Sequence, residues 1–405
     1  MNNKQLQIFD KLRYYCETEQ FKGWDPYDGL NSEIFRYLPF LKKSALIRLI
    51  AIQGFKRFPF NIRSLLLVPK NYNTKGLALL LKGYCNLYKC TINNKTQEVG
   101  DSQVELLEKI ELLSQLLLKL SSKGYSGACW GYSFDWQSKA FFLPKDTPTV
   151  VATSFVTDSL LSSYEITKNQ EYLDKALSAA DFILKDLNRI PKKQGFMFSY
   201  SPLDNQAVYN ATLLGSKTLA LLYSYTNKDE FKNLAFESVQ AVCDLQNPDG
   251  SFPHSDQIGN SWRDNFHTGF KLESLACYRQ HCKDNTFTIN IEKGYQYWIQ
   301  NFFDSETGFA RYYDKKNSNL IDLHCTAQAF PTLYKLNKMK EQEKLADKIL
   351  NWAIDNMFDF HKGFFYFQKQ GNHINKTPYM RWPNAWMFYG ISYWILYQKY
   401  EYETL

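Results

Sequence analysis

The chain has 405 residues, of which 44% are hydrophobic and 22% are charged, a composition that is typical of a globular protein with a large core. It excludes a disordered chain. We interpret the net charge of +7 as spread along the chain, with no basic block that resembles a nucleic-acid-binding arm or a polybasic membrane anchor, so we predict no nucleic-acid partner.

The sequence also predicts where the protein resides. No segment has about 18 uninterrupted apolar residues, so we predict no membrane insertion. The first 20 residues lack the apolar stretch and cleavage site of a secretory signal, and we expect a cytoplasmic protein. The eight cysteines contain no C-x2-C pair, which indicates reduced thiols and no metal site. No cofactor is predicted, and the sequence does not define the oligomeric state.

Three predicted helices occupy the first third of the chain. Helix-length apolar patterns cover residues 32–55, 75–88 and 103–121. They match the repeat that follows only loosely. We assign residues 1–122 to opening hairpins of the same architecture because of the helix count.

From residue 123 onward, a turn followed by an aromatic residue recurs. The turns lie at intervals of 64, 55, 58 and 55 residues, at Gly131, Gly195, Gly250, Gly308 and Gly363. Each interval contains two amphipathic segments, so each repeat predicts one helical hairpin. The predicted pairs are 153–167 with 171–187, 208–226 with 230–245, 265–282 with 289–302, and 323–336 with 341–356, and a last helix covers 384–400.

About twelve helices and few strand signals predict an all-α fold. A helical hairpin cannot bury its apolar face alone, so five or six copies stack into an open solenoid or close into a ring. Loops of about 10–20 residues, rich in Gly and aromatic residues, favour a ring with the long loops at one end. We predict a single (α/α)6 toroid domain over residues 1–405, in which 123–405 form the clear hairpin repeats.

The loops resemble those of (α/α)6 toroids in six-hairpin glycosidases, several polysaccharide lyases and sugar epimerases. The stretches GWDPYDG (23–29), WGYSFDWQ (130–137) and QNPDGSF (246–252) also resemble uncharacterised proteins encoded in bacterial surface-polysaccharide gene clusters. The toroid resemblance implies a carbohydrate-active protein that acts on a glycan or sugar, of hydrolase, lyase or epimerase type. The second resemblance implies its context, which is bacterial surface-polysaccharide metabolism. Residues 246–252 are also similar to the Q-x-x-D-G-S-W motif of terpenoid cyclases. The chain has no D-x-D-D or D-D-x-x-D motif, so a cyclase is the weaker alternative.

Polar and aromatic residues open the predicted inner helices, where we expect them to line one cleft. Candidate catalytic residues are His267, Arg263, Asp264, His324, Asp204 and Asp135. Candidate substrate-binding residues are Trp24, Asp25, Trp130, Trp136, Tyr209, Asn210, Trp262, Asn265, Arg381 and Trp382. An acid at a helix start is also a common N-cap, and a single histidine is often a core residue. His, Arg, Asp and Trp together at the starts of successive repeats favour a sugar cleft.

Three chemistries fit these residues. Hydrolysis would use two carboxylates, Asp135 with Asp204 or Asp264, as acid and base or nucleophile. Aldose epimerisation would use His267 and His324 as acid and base on opposite faces of the sugar.

The third chemistry is elimination or C5-epimerisation of a uronate. Arg263 or Arg381 would neutralise the substrate carboxylate, while His267, His324 or Tyr209 removes the neighbouring proton. Arg263 and His267 are four residues apart, so we expect them on one face of a helix start. The alternative from another class is a non-catalytic glycan-binding or scaffold protein of polysaccharide assembly, which would keep the tryptophans without a titrating pair.

Overall fold

The computed structural model describes residues 1–403 except residue 59 and the stretches 93–102, 138–140, 256–258, 260 and 316–317. The described residues form fourteen α-helices. They are α1 (Asn3–Thr18), α2 (Glu33–Tyr37), α3 (Ala45–Arg57), α4 (Thr74–Ile92), α5 (Gln103–Lys119), α6 (Val150–Thr167), α7 (Gln170–Asp181), α8 (Tyr209–Thr226), α9 (Asp229–Cys243), α10 (Asn265–Cys282), α11 (Thr288–Phe302), α12 (Leu323–Lys335), α13 (Glu343–Met357) and α14 (Ala385–Glu403).

Short antiparallel strands lie in the loops between helices. Three two-stranded hairpins and one three-stranded sheet of order β5-β8-β9 are formed. The strands are β1 (Trp136–Gln137), β2 (Phe142–Leu143), β3 (Arg189–Pro191), β4 (Phe196–Phe198), β5 (Leu320–Asp322), β6 (Phe358–Asp359), β7 (Phe364–Phe365), β8 (Gln368–Gln370) and β9 (His373–Asn375). In the last sheet Asp322 pairs with Gln368, and Gln368 with Asn375.

Six helices form a closed inner ring. Helix α4 packs on α6, and the order continues through α8, α10 and α12 to α14, which packs back on α4. A second layer surrounds this ring: α5, α7, α9, α11 and α13 each pack on inner helices, and α1 packs on α13 and α14. The architecture is an (α/α)6 toroid, and the predicted all-α fold is confirmed.

The amino-acid patterns explain the two layers. The inner helix α8 is surrounded by protein and has an unbroken buried run over residues 209–222. The outer helix α13 buries one stripe, made by Ala346, Ile349, Leu350, Ala353, Ile354 and Met357. This spacing of three and four residues is that of a helix with one face toward a core.

A glycine in each loop that follows an outer helix sets the distance to the next outer helix. A Cβ added at Gly250 would lie 2.3 Å from the backbone oxygen of Lys293 in α11, and the same steric limit holds at Gly195 and Gly308. The last of these glycines, Gly363, meets Lys11 of α1, which closes the outer layer. In the first repeat the glycine that packs against the next outer helix is Gly127, where an added Cβ would lie 2.0 Å from the backbone oxygen of Ser178 in α7. The turn predicted at Gly131 is therefore four residues away from the equivalent position of the repeat.

The first third of the chain differs from the prediction. Helix α1 was not predicted, although it completes the outer layer. The single helix predicted over 32–55 is wrong, because Pro39 interrupts it and a 3-10 turn (Pro39–Lys43) separates α2 from α3. Helix α3 packs on the turn Asp28–Asn31 and on β1, outside the inner ring. The helices predicted over 75–88 and 103–121 correspond to α4 and α5.

Further observations concern membranes, metals and thiols. Within residues 1–403, outside the gaps given above, no helix has the length and apolarity needed to cross a bilayer. The same residues contain no cluster of three or more His, Cys, Asp or Glu side chains suited to a metal ion. All eight cysteines are buried and have free thiols.

Gly250→Ala is expected to lower the free energy of unfolding by about 2 kcal/mol or more. Gly250 has a φ of +89°, which disfavours any side chain, and the added Cβ would overlap the backbone of Lys293. Gly54→Ala is the control, since Gly54 lies inside α3 with no atom within 4 Å of an added Cβ and alanine favours a helix. Urea denaturation of both variants measures the difference, and equal stabilities would contradict the packing role of Gly250.

Candidate functional site

One cleft lies where the inner helices begin. Its volume is about 390 Å³, which is enough for a sugar of one or two rings. Its walls are formed by the loops that lead into α6, α8, α10, α12 and α14 and by the first turn of α4. It is lined by Tyr27, Lys75, Tyr132, Phe134, Trp136, Phe141, Val151, Tyr200, Gln206, Val208, Asn210, His254, Trp262, Phe266, His267, Phe270, Tyr312, His324, Arg381 and Trp382.

The lining has a distinct chemical character. Eleven of its twenty side chains are Phe, Tyr or Trp, which provide flat faces for a sugar ring. Three histidines, one lysine and one arginine supply the nitrogen groups of the lining. No Asp or Glu is among the lining residues in the described part of the chain. The cleft therefore offers imidazole acid-base groups and positive charge, without a carboxylate at its surface.

His267 is held by the residue that starts its helix. Asp264 is the N-cap of α10, and its Oδ1 accepts a hydrogen bond from the backbone N–H of His267. The other oxygen, Oδ2, lies 2.7 Å from Nδ1 of the His267 ring. The Asp264 side chain is fully buried, whereas His267 remains 22% exposed. Because Nδ1 is engaged with Asp264, Nε2 of His267 is left for the cleft.

His324 lies in the first turn of α12 and is buried between two aromatic rings. Its ring stacks on Phe266 and Trp386, with centroids 4.1 Å and 4.0 Å apart. Neither ring nitrogen has a hydrogen-bond partner in the described structure. Burial lowers the pKa of His324, and the nearby Lys75 acts in the same direction. A neutral imidazole with two unsatisfied nitrogens at a cleft is expected to bind a ligand there.

A third histidine, His254, was missed in the sequence. Its ring stacks on Trp262 at 4.0 Å and lies 5.5 Å from the ring of His267. Burial, followed by the proximity of His267, lowers the pKa of His254 to about 2. Its position two residues after the QNPDGSF stretch, in a loop that leads to an inner helix, was the available signal.

Arg381 lines the cleft from the turn before α14, as predicted for the last inner helix. Its guanidinium forms two hydrogen bonds with the buried carboxylate of Asp25, one of them 2.8 Å from Nη2 to Oδ1. The carboxylate of Asp25 raises the pKa of Arg381 against the effect of burial. The guanidinium also lies over the rings of Tyr132 and Trp382. Asp25 thus holds Arg381 in place at the cleft wall.

Lys75, in the first turn of α4, was also missed. Its amine lies over the rings of Phe155, Phe270 and Trp386, with Nζ 4.4, 4.7 and 5.2 Å from their centroids. Burial lowers the pKa of Lys75, and the charge of Arg381 adds to this effect. The lysine precedes the apolar run Gly76–Leu81 in the sequence. A lysine at the start of a fully buried helix was the signal that could have identified it.

Four predicted catalytic residues are not among the lining residues: Asp264, described above as the partner of His267, and the three that follow. Asp204 closes a loop by accepting hydrogen bonds from Ser201 and neighbouring backbone N–H groups. Asp135 forms an ion pair with Lys42 at 2.9 Å. Arg263 lies before the first residue of α10 and pairs with Asp314, so it does not project beside His267 as expected.

Five predicted binding residues are not among the lining residues of the cleft. Trp24 and Trp130 each donate a hydrogen bond from Nε1 to a backbone carbonyl. Asn265 accepts one from Trp298 and is fully buried. Asp25 acts through Arg381, and Tyr209 is buried behind the lining.

Four other predicted binding residues do line the cleft. Trp136, Trp262 and Trp382 contribute aromatic faces, and the indole N–H of Trp382 donates to Asp322 at 2.7 Å. Asn210 is buried, and its Oδ1 has no hydrogen-bond partner in the described structure. The cleft therefore presents ring faces together with an unsatisfied amide oxygen, a combination that suits a polyhydroxylated ligand.

The fold is shared with carbohydrate-active enzymes of known structure. A cellobiose 2-epimerase from Bacillus thermoamylovorans is 12% identical, with 80% of this chain and 89% of that chain aligned and a TM-score of 0.60. A glycoside hydrolase family 76 mannosidase from Bacteroides thetaiotaomicron aligns over 98% and 100% of the two chains, with 10% identity and a TM-score of 0.59. An unsaturated glucuronyl hydrolase specific for heparin aligns over 82% and 87%, with 14% identity and a TM-score of 0.57.

Sequence comparisons add no family. No model of a protein family matches the chain, and no curated protein matches it in sequence. The structural similarities are all at low identity, so they define the fold class and not the reaction. The chain has the six-hairpin toroid fold of the three enzymes above, as the resemblance of its loops implied.

Asp25→Asn is expected to lower the free energy of unfolding by about 3 kcal/mol or more, because it leaves the buried Arg381 without its counter-charge. Asp355→Asn is the matched control: its ion pair with Lys4 also joins the two ends of the chain, but both side chains are more than half exposed. An exposed pair contributes about 1 kcal/mol or less. Urea unfolding of both variants checks the contrast, and similar losses would refute the structural role of the Asp25 and Arg381 pair.

Proposed function

We propose that the protein is a sugar epimerase or isomerase that transfers a proton at the carbon next to the carbonyl of an open-chain aldose. The observation that carries this proposal is the presence of His267 and His324 in one cleft that has no acidic side chain in its described lining. Both rings contact Phe266, with centroid distances of 4.2 Å and 4.1 Å. Two imidazoles near one bound sugar can act as the base and the acid of such a reaction.

The other two chemistries have weaker support. Hydrolysis requires two carboxylates at the scissile bond, and Asp135 and Asp204 are both engaged outside the cleft lining. The uronate reaction as predicted requires Arg263 or Arg381 to be free to bind the substrate carboxylate. Arg263 is paired with Asp314 and Arg381 with Asp25. Proton transfer between histidines needs neither feature.

In the proposed reaction, one histidine removes the proton from C2 of the aldehyde form. The C–H electron pair forms a C1–C2 double bond, and the carbonyl electrons move to O1, which gives an enediolate. Return of a proton to the opposite face of C2, with re-formation of the C1–O1 double bond, gives the epimer. Transfer of the O2 hydroxyl proton to O1 followed by return of a proton to C1, with formation of the C2–O2 double bond, gives the ketose. The depressed pKa of His324 keeps its imidazole neutral, as a base must be, and Asp264 fixes the ring of His267.

The negative charge of the enediolate would be stabilised by Lys75. Its side chain is buried at the cleft, where charge interactions are stronger than in water. The six inner helices also begin at this end, so their N-terminal N–H groups add positive potential. Aromatic residues such as Trp136 and Trp262 would hold the sugar by stacking. The similarity to a cellobiose 2-epimerase supports a substrate of one or two sugar rings.

We further propose a bacterial, cytoplasmic enzyme of surface-polysaccharide metabolism, on the basis of the resemblance of the stretches GWDPYDG, WGYSFDWQ and QNPDGSF. A toroid that binds glycans without turnover is the competing function. The two differ in one measurable property, the exchange of the C2 proton of a bound aldose with solvent.

The decisive experiment follows the loss of the C2–H signal of aldoses in D2O by proton NMR, with glucose, mannose and cellobiose as probes. The wild-type protein is expected to catalyse exchange, and His267→Ala or His324→Gln to lower the rate by about 10²–10⁴-fold. His361→Ala is the control, because His361 is exposed in the turn between β6 and β7. Tight binding of these sugars without exchange would favour the glycan-binding function, and release of reducing ends from glycosides would favour a hydrolase.

The pH profile gives an independent test of His324. A base must be unprotonated, and the pKa of His324 lies below the ordinary value of 6.5 because the ring is buried near Lys75. Activity should therefore persist as the pH falls through 6.5, and kcat/KM should decline only at lower pH. A decline centred at or above pH 6.5 that disappears in His324→Gln would contradict a neutral, buried base.

A further inference from the structure

The net charge of the protein resides in one short segment. Residues 34–67, here called segment 34–67, contain seven Lys and Arg and no Asp or Glu. The rest of the chain has 41 Lys and Arg against 41 Asp and Glu, so its formal net charge is zero. The interpretation of the +7 charge as spread along the chain is therefore wrong. Apolar residues between the cations obscure this block in the sequence.

Segment 34–67 also holds an unusual share of exposed apolar side chains. In the described part of the chain, half of the exposed large hydrophobic residues lie within these 34 positions. They are Ile34, Tyr37, Leu38, Phe40, Leu46, Ile50, Phe58, Phe60, Leu65 and Leu67. A monomeric protein rarely exposes so many apolar side chains together, and such a patch commonly marks an interaction surface.

Helix α3 shows how the segment is oriented. The side of α3 that faces the protein carries its two buried residues, Ile52 and Phe55. The opposite face carries Leu46 and Ile50, four residues apart, which are 66% and 62% exposed. The solvent-facing side of a surface helix usually carries polar or charged residues, whereas here it carries leucine and isoleucine.

Cations flank this apolar stripe. Lys43 precedes α3 and Arg57 is its last residue, and both are exposed. An amphipathic helix with an apolar face and flanking Lys and Arg is typical of a segment that lies in the interface of a bilayer. A second copy of the chain would bring like charges together, which disfavours self-association through this surface.

We propose that segment 34–67 binds the surface of a membrane that contains anionic phospholipids. The apolar side chains would enter the headgroup region, and the exposed cations Lys43 and Arg57 would contact lipid phosphates. Binding would be peripheral and needs no membrane-spanning helix. It does not depend on the proposed reaction.

The segment adjoins the cleft mouth. Leu30, Phe35 and Ile52 form a small core that also contacts Tyr27 and Trp136, two cleft-lining residues. Lys56 donates a hydrogen bond to the hydroxyl of Tyr27 at 2.9 Å. A membrane bound to this surface would therefore lie beside the entrance of the cleft.

The test is flotation of the full-length protein with vesicles of phosphatidylglycerol and phosphatidylcholine in equal parts. We expect binding at low salt that weakens in 0.5 M NaCl and is at least tenfold weaker on vesicles of phosphatidylcholine alone. The double variant Leu46→Glu/Ile50→Glu should bind at least tenfold less. Lys43→Gln/Arg57→Gln should bind about 30-fold less, since each cation contributes about fivefold.

Ile289→Glu is the matched control, because Ile289 is 69% exposed at the start of α11, outside segment 34–67. It should float like the wild type, and circular dichroism should show that all variants keep their helix content. Absence of wild-type flotation, or equal flotation of Leu46→Glu/Ile50→Glu, would overturn the proposal. If the protein fails to float and instead forms dimers that Leu46→Glu/Ile50→Glu dissociates, the occupant of the surface is a second copy.

Discussion

The buried ion pair between Asp25 and Arg381 connects the first loop of the chain to the last one. Closure of a ring of hairpins requires the two ends of the chain to meet, and these residues are 356 positions apart. The carboxylate also accepts a hydrogen bond from the backbone N–H of Tyr27, a residue of the cleft lining. Arg381 in turn immediately precedes Trp382. One interaction thus closes the toroid and sets two walls of the cleft.

Charge is sorted along the inner ring. At the cleft the described lining contains Lys75, His324 and Arg381 but no acid. About two helical turns further along α6, Asp158 pairs with Lys82 and Lys217 of the two neighbouring helices. Asp158 offsets one of the two lysine charges at the deeper level, whereas the described cleft lining contains no carboxylate to offset Lys75. A lining of this kind is suited to a bound group on which negative charge develops.

The same structure connects the two proposed sites, the cleft and the surface of segment 34–67. The toroid positions His267 and His324 at helix starts, the loop that contains Tyr27 links the cleft to helix α3, and α3 exposes the apolar stripe of segment 34–67. Because Tyr27 and Trp136 both line the cleft and pack on the small core beneath α3, binding at the outer surface of α3 and binding in the cleft would occur on adjoining parts of the molecule.

The sequence alone determined the helices from residue 150 onward, because apolar residues recur at helical spacing and Gly and aromatic residues mark each turn. It also determined that polar residues gather at the starts of inner helices. Only the tertiary structure decided which of them face the cleft. Asp264 contacts the ring of His267, whereas the adjacent Arg263 forms an ion pair with Asp314. The aromatic neighbours of Lys75 could not be predicted, because Phe155, Phe270 and Trp386 come from three other helices. Periodicity defines the face of a helix, but side-chain partners depend on which helices the closed ring brings together.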